Sequence, residues 1–193
     1  MANADDELVL QCRNGNAEAF EMLVRRHQQM IHALTFRMTG SLADAEDLAQ
    51  ETFIRAYEQI GAFNGKSKFG TWLYSIAVHA CLNWRRDEVR RSRAESGCAS
   101  EMLAQGQGNQ AANDTAQEAQ MALMKLPPKQ RAAIVLTVYD ELSHAEAARL
   151  LKCSETTISW RVYAAKRKLK RLLSRRAEHK LSCLARAKEG LGI

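Results

Sequence analysis

Near the C-terminus, the run Thr156-Thr-Ile-Ser-Trp-Arg161 places hydroxyls, an indole and a guanidinium within two helical turns, and the basic cluster Lys166-Arg-Lys-Leu-Lys-Arg171 follows. Side chains of these types at this spacing can hydrogen-bond base edges and pair with phosphates, which makes DNA the expected partner. The elements that must present them form a helix-turn-helix. Ser143, three residues before Glu146, has capping-box spacing and predicts a first helix starting at about residue 143, with Ala147, Ala148 and Leu151 on its inner face. Lys152-Cys153-Ser154 is the expected turn. Ser154 can cap the second helix, and Glu155 sits in its first turn, where the macrodipole favours a carboxylate. Ile158, Val162, Ala165 and Leu169 form the stripe to be buried. Thr156, Thr157, Ser159, Trp160, Arg161, Ala164 and Arg167 then face outward or flank it, with Thr156, Ser159, Trp160 and Arg161 as the candidate base readers. Taken alone, these residues also fit an ordinary α-hairpin with a solvated basic face.

A second group of polar and aromatic residues lies between Phe63 and Arg86. Asn64-Gly65 and Gly70 mark a loop that carries Lys66 and Lys68, and Thr71 is the expected cap of the helix after it. Leu73, Ile76, Ala77, Ala80 and Trp84 would be buried, leaving Trp72, Ser75, His79, Asn83 and Arg86 on a wetter face. Aromatic, amide and cationic groups beside a lysine-bearing loop suit a single-stranded nucleic acid, whose bases stack on rings while cations hold the backbone. Arg85, Arg86, Arg90, Arg91 and Arg93 extend that surface. Core packing is the competing reading for Trp72 and the favoured one for Trp84.

The third group is acidic. In Asp44-Ala-Glu-Asp-Leu-Ala-Gln-Glu-Thr-Phe-Ile-Arg-Ala-Tyr57, residues Ala45, Leu48, Ala49, Thr52, Phe53, Ala56 and Ile60 share one helical face, and Asp44, Asp47, Glu51 and Glu58 line the other. Such a stripe is either a solvated surface or a seat for a basic helix. Paired carboxylates of a hydrolase are a poorer fit, because no histidine, second acidic cluster or glycine-rich loop accompanies them. The five cysteines, Cys12, Cys81, Cys98, Cys153 and Cys183, are scattered and never form a CxxC pair, so reduced thiols are expected rather than disulfides or a zinc finger. His79-x-Cys81 and His179-x3-Cys183 lack the further ligands a metal site needs.

Across the whole chain, 193 residues with 46% hydrophobic and 26% charged content describe a globular protein of one or two small domains. There is no apolar run of membrane-spanning length and no signal-peptide pattern at the acidic N-terminus, which predicts a cytoplasmic protein. The net charge of +6 is uneven: residues 1–94 sum to zero, 95–118 to −4, and 119–193 to +10. Nearly every segment reads as helix. Leu8, Cys12, Ala19, Phe20, Leu23 and Val24 recur at helical spacing across a turn at Asn14-Gly15-Asn16, and that helix should run to about Met38. The expected fold is all-α, with two helical domains, 1–94 and 119–175, joined by a flexible linker at 95–118 rich in Ala, Gln, Gly and Asn. Residues 176–193 form a tail with some helical spacing.

The order of three segments resembles the extracytoplasmic-function sigma factors of bacterial RNA polymerase. They are Asp44–Tyr57, Phe63–Ala77 with its Thr71-Trp-Leu-Tyr-Ser-Ile-Ala77 core, and Leu126-Pro-Pro-Lys-Gln-Arg-Ala-Ala-Ile-Val-Leu136 leading into the helix-turn-helix. The resemblance implies a non-enzymatic, cofactor-free promoter-specificity factor. Asp44, Asp47, Leu48, Gln50 and Glu51 would dock on the beta-prime clamp helices of the polymerase. Asn64, Lys66, Ser67, Lys68, Phe69, Trp72, His79, Asn83 and Arg86 would capture and melt the −10 element, with a flipped base held in the loop. Ser154, Thr156, Thr157, Ser159, Trp160, Arg161, Ala164 and Arg167 would read the −35 element as duplex, beside the beta flap. It also implies an anti-sigma partner. Val78-His79 and Thr156-Thr-Ile-Ser-Trp-Arg161 depart from common family patterns at the positions of base choice, so no promoter sequence carries over. A stand-alone helix-turn-helix regulator is the alternative.

Overall fold

The computed structural model describes residues 4–95 and 110–189. Among the described residues there are eight α-helices and no strand: α1 (Ala4–Arg13), α2 (Ala17–Thr39), α3 (Leu42–Gln59), α4 (Phe69–Glu95), α5 (Gln110–Met124), α6 (Pro128–Ile134), α7 (His144–Leu150) and α8 (Glu155–Glu189). A 3-10 turn spans Ile60–Ala62, and a π-helical turn, Val135–Tyr139, extends α6. No helix among the described residues is long and apolar enough to cross a membrane.

Helix α2 is the hub of the first half and packs against α1, α3 and α4. Local sequence sets its limits. The Asn16 side chain accepts hydrogen bonds from the Glu18 and Ala19 amides at 3.0 and 3.3 Å, and Gly40 closes the helix at φ +78°, a conformation glycine adopts without a Cβ penalty. Ser41 then caps α3 by accepting from the Asp44 amide. Leu23, Ile31, Leu34, Leu73 and Ala77 are fully withdrawn from water at the centre of this bundle.

Helix α4 begins earlier than its sequence suggests. The Lys68 carbonyl closes its first turn by accepting from the Trp72 amide at 3.1 Å, so Thr71 lies inside the helix and caps nothing. Seating the Phe69 ring in the core fixes the start, since that burial is worth more than a hydroxyl cap. Leu73, Ala77 and Ala80 are buried as expected, and Tyr74, Val78 and Cys81 join them, because α4 packs against α2, α3 and α6. Ile76 and Trp84 are only half-buried.

In the second half, α8 packs against α5, α6 and α7. Pro128 occupies the first turn of α6, where its fixed φ and missing N–H cost nothing. Part of the expected linker is helical. Glu95 ends α4, and residues 110–118 already belong to α5, an alanine-containing run of good helix propensity anchored further on by buried Ala122 and Leu123. The rest of that expectation, 96–109, lies outside the described residues. Backbone helix continues through the expected tail to Glu189.

The two halves touch. Gln120 Nε2 donates to the Phe36 carbonyl at 2.8 Å, and Met124 lies so close to Gly40 that a Cβ there would come within 2.6 Å of its sulfur. Arg37 pairs with Asp140 at 3.4 Å and lies under the Tyr139 ring, 4.8 Å from its centroid. The Tyr74 hydroxyl, from α4, donates to the other oxygen of Asp140. Burial pushes the Asp140 carboxyl above its usual range, although Tyr74 and Arg37 both pull it down; burial likewise raises Tyr74.

Candidate functional site

Three surfaces hold the residues singled out above. The first is an open groove of about 810 Å³ between α2 and α3. Asp47 and Gln50 line it and are exposed. Asp44 is half-buried near the α3 start, and Glu51 is held by Arg55 one turn on. Leu48 is 3% exposed and faces the bundle core, as its helical spacing predicted, which sets it apart from the surface residues of the docking set that the resemblance implied. The groove also has an apolar floor that the acidic stripe alone did not foretell. Phe20 and Val24 from α2, with Phe53, Ile54 and Tyr57 from α3, line it, and Phe20 meets Tyr57 edge-on at 4.9 Å. Ile54 was the available signal, an apolar residue half-exposed at 53% on the otherwise polar face of α3. An acid-edged groove with an apolar floor fits an amphipathic helix bearing basic residues.

The second surface is the loop before α4. Asn64, Lys66, Ser67 and Lys68 are all exposed, and the Asn64 side chain accepts from the Lys66 amide at 3.1 Å while Gly65 sits at φ +69°. This small turn projects both lysines outward. Phe69 is a correction: it is 0% exposed and supports the loop from beneath instead of contacting DNA. Trp72 combines core packing with an open edge. It is half-buried, packed on Phe63 at 5.1 Å and Phe69 at 5.7 Å, with part of its ring still accessible. Further along α4, Asn83 and Arg86 are exposed, and His79 is half-buried with Nδ1 on the Ser75 carbonyl at 2.7 Å. Cys81 is buried beneath, which pushes its thiol up to about 12 and takes it out of any pairing with His79. Burial raises Cys12 as well, so both stay protonated at neutral pH. Among the described residues no cluster of His, Cys, Asp or Glu could hold a metal.

The third surface is the helix-turn-helix. Its capping box is complete: the Glu146 amide donates to Ser143 Oγ at 3.2 Å, and the Ser143 amide donates to Glu146 Oε2 at 2.9 Å. The Ser143 hydroxyl, donating to Glu146 Oε2 at 2.6 Å, and the Ser143 amide hold the Glu146 carboxyl below its usual range. Lys152 turns the chain at φ +47°, and Ser154 Oγ accepts from the Thr157 amide at 3.2 Å to start α8. Ile158, Val162 and Ala165 are buried as expected, and Leu169 is half-buried. Thr156, Ser159, Trp160 and Arg167 are exposed, while Thr157, Arg161 and Ala164 are half-buried. Ser159 Oγ is joined to His144 Nδ1 at 2.9 Å, and Arg161 reaches back to the Cys153 sulfur at 3.5 Å. Tyr163 was missed. At 65% exposed it stands beside Trp160, 63% exposed, one turn along the same outward face, and that i, i+3 spacing was visible in the sequence.

Residues 23–91 match the sigma-70 region 2 family, and residues 116–169 match the sigma-70 region 4 family. The chain is 34% identical to the ECF RNA polymerase sigma factor SigM of Mycobacterium tuberculosis over 88% of its own length and 85% of the relative's. It is 31% identical to the ECF RNA polymerase sigma factor SigW of Bacillus subtilis over 86% and 94%. Among solved structures, the sigma factor RpoE of Bartonella quintana in complex with the anti-sigma factor NepR superposes with a TM-score of 0.71 at 26% identity, over 82% of this chain and 98% of that one.

Proposed function

The chain belongs to the extracytoplasmic-function sigma factors of bacterial RNA polymerase, and from that membership we propose how its three surfaces divide the work. As a sigma factor it directs core polymerase to −35 and −10 promoter elements and opens the promoter there. The α2–α3 groove takes a clamp helix of the beta-prime subunit, with Asp47 and Gln50 at the rim and Ile54 on the floor. The exposed loop Asn64–Lys68, with Trp72, His79, Asn83 and Arg86, takes the melted −10 strand, cations on the backbone and rings under the bases. The face Ser154, Thr156, Thr157, Ser159, Trp160, Arg161, Ala164 and Arg167 reads the −35 duplex. Residues 1–94 and 119–175 act as the two recognition units. The chain performs no chemistry of its own; the polymerase supplies nucleotidyl transfer, and binding energy is converted into strand opening. It works in the cytoplasm and is held off by an anti-sigma factor, a reading supported by the similar RpoE of Bartonella quintana, whose structure is that of a complex with the anti-sigma factor NepR.

One observation carries the docking assignment: an apolar residue, Ile54, is exposed on an acidic helix and lines an open groove of about 810 Å³. Purified chain should therefore retain core polymerase in a pull-down and start transcription at discrete sites on fragmented genomic DNA. Asp47→Lys with Ile54→Lys should weaken core binding about tenfold or more, which is about 1.4 kcal/mol, with helical content unchanged. Undiminished polymerase binding by that variant would remove the groove from the docking role. DNA affinity without any polymerase binding would make the chain a stand-alone regulator.

A further inference from the structure

Asp5, in the first turn of α1, is only 8% exposed. A carboxylate so withdrawn from water requires partners. It has two on α2: Arg26 at 3.0 Å and His27 Nε2 at 2.9 Å. A carboxylate only accepts hydrogen bonds, so the His27 proton sits on Nε2 and the ring is held in one orientation. The adjoining Cε1–Nδ1 edge of that ring faces the start of α4. A Cβ added to Gly70 would lie 3.1 Å from His27 Cε1, and the ring centre stands 5.5 Å from that of Phe69. One imidazole thus joins α1, α2 and the first turn of α4.

What it supports is the loop. Phe63 and Phe69 anchor the two ends of Asn64–Lys68, their rings meet edge-on at 6.0 Å, and both pack on Trp72. Phe69 is fully buried, so a shift of the His27 ring is passed to both ends of the loop and to Trp72. From this geometry we propose that Asp5 and His27 are positioning residues for −10 recognition, fixing the shape of the Asn64–Lys68 loop through Phe69 and Gly70 without touching DNA. The inference rests on the assignment of that loop to the −10 strand. It gives α1, outside the matched family segments, a part in promoter opening.

The test uses holoenzyme reconstituted from the full chain and core polymerase. Two probes come from the strongest start site recovered by genomic run-off: a single-stranded non-template oligonucleotide across −10, and a duplex across −35. Asp5→Ala and His27→Ala should each weaken single-strand binding about tenfold, the order of loss that follows a small misplacement of a binding group. Asp5→Glu, which keeps a carboxylate within reach, should recover most of the affinity. Duplex binding and core affinity should stay at wild-type values. Gly70→Ala, pressing on the same ring from the loop side, should weaken single-strand binding in wild-type background and less so with Asp5→Ala, where the ring can yield. Equal losses on both probes, or a matching loss of thermal stability without rescue by Asp5→Glu, would reduce the pair to fold maintenance and overturn the proposal. Lys66→Ala with Lys68→Ala separates the two claims. If that variant loses single-strand binding while Asp5→Ala does not, only the positioning role fails; if neither loses it, the −10 assignment of the loop fails and takes the positioning role with it.

Discussion

Arg131 is the largest side chain fully withdrawn from water, at 1% exposed. Its Nε donates to the Leu123 carbonyl at 2.9 Å, one Nη reaches the Met124 and Leu126 carbonyls, and the other reaches the Met38 carbonyl, 93 residues away in sequence. The C-terminal carbonyls of α2 and α5 have no intrahelical donors and carry the negative ends of two macrodipoles, so one guanidinium satisfies both. Arg131→Met should leave the Met38 and Met124 carbonyls without this donor, while Leu123 keeps the Leu126 amide, and lower unfolding free energy by about 3 kcal/mol or more. Arg131→Lys should recover little, because a lysine has no planar fork to span them. Urea titration would decide it, and a loss under about 0.5 kcal/mol, the scale of an ordinary surface change, would rule the role out. Arg131 stood within the Leu126–Leu136 segment of the sequence, but nothing local to that segment announced its buried role. The need for a donor arises where two helix ends meet, and that meeting is not local. Phe69 and Leu48 mislead in the opposite way: adjacent to polar residues in motifs of recognisable function, they are core by geometry.

At the scale of elements, what depends on near neighbours was readable. The capping box at Ser143 and Glu146, the cap at Ser154 and the inward stripe of α8 all stand within a few residues of one another, and all form as expected. The groove between α2 and α3 was not readable, because its floor needs both helices at once and each half looks like core when taken singly. Lys152 shows a remaining local compromise. It holds the turn of the helix-turn-helix at φ +47°, where a side chain costs roughly 1–2 kcal/mol and glycine does not. Set against the chain entropy glycine adds to the unfolded state, Lys152→Gly should stabilise the protein by up to about 1 kcal/mol. A urea midpoint that rises at constant slope would bear this out; a fall would mean the lysine side chain holds the turn through contacts of its own.

For the whole molecule, composition pointed to two units but said nothing of their contact. The halves touch at Gly40 and Met124 and through the Arg37, Tyr74 and Asp140 cluster, so any parting of the two breaks these contacts. Burial raises the Asp140 carboxyl in the joined form, so that form binds a proton more tightly than the parted one. Its contribution to joining is then full below the ordinary value of 3.8 and declines as pH rises through the raised value. In small-angle scattering the radius of gyration should grow as pH is raised across that window, and Asp140→Asn, which cannot ionise, should flatten the growth. An identical pH profile in the variant would remove Asp140 from the contact's energetics.

The π-helical turn Val135–Tyr139 carries this contact and the helix-turn-helix in one continuous piece, and such a turn accommodates one residue more than α-helical geometry would. Each residue of an α-helix advances the chain by about 100°. The extra residue therefore acts as a phase setting. Deleting it would swing the azimuth of everything downstream by about a quarter turn, taking Tyr139 and Asp140 away from Arg37 and Tyr74 and turning α7 and α8 out of register with α6. A change of one codon's length at this point would re-aim the molecule where a substitution could only weaken it.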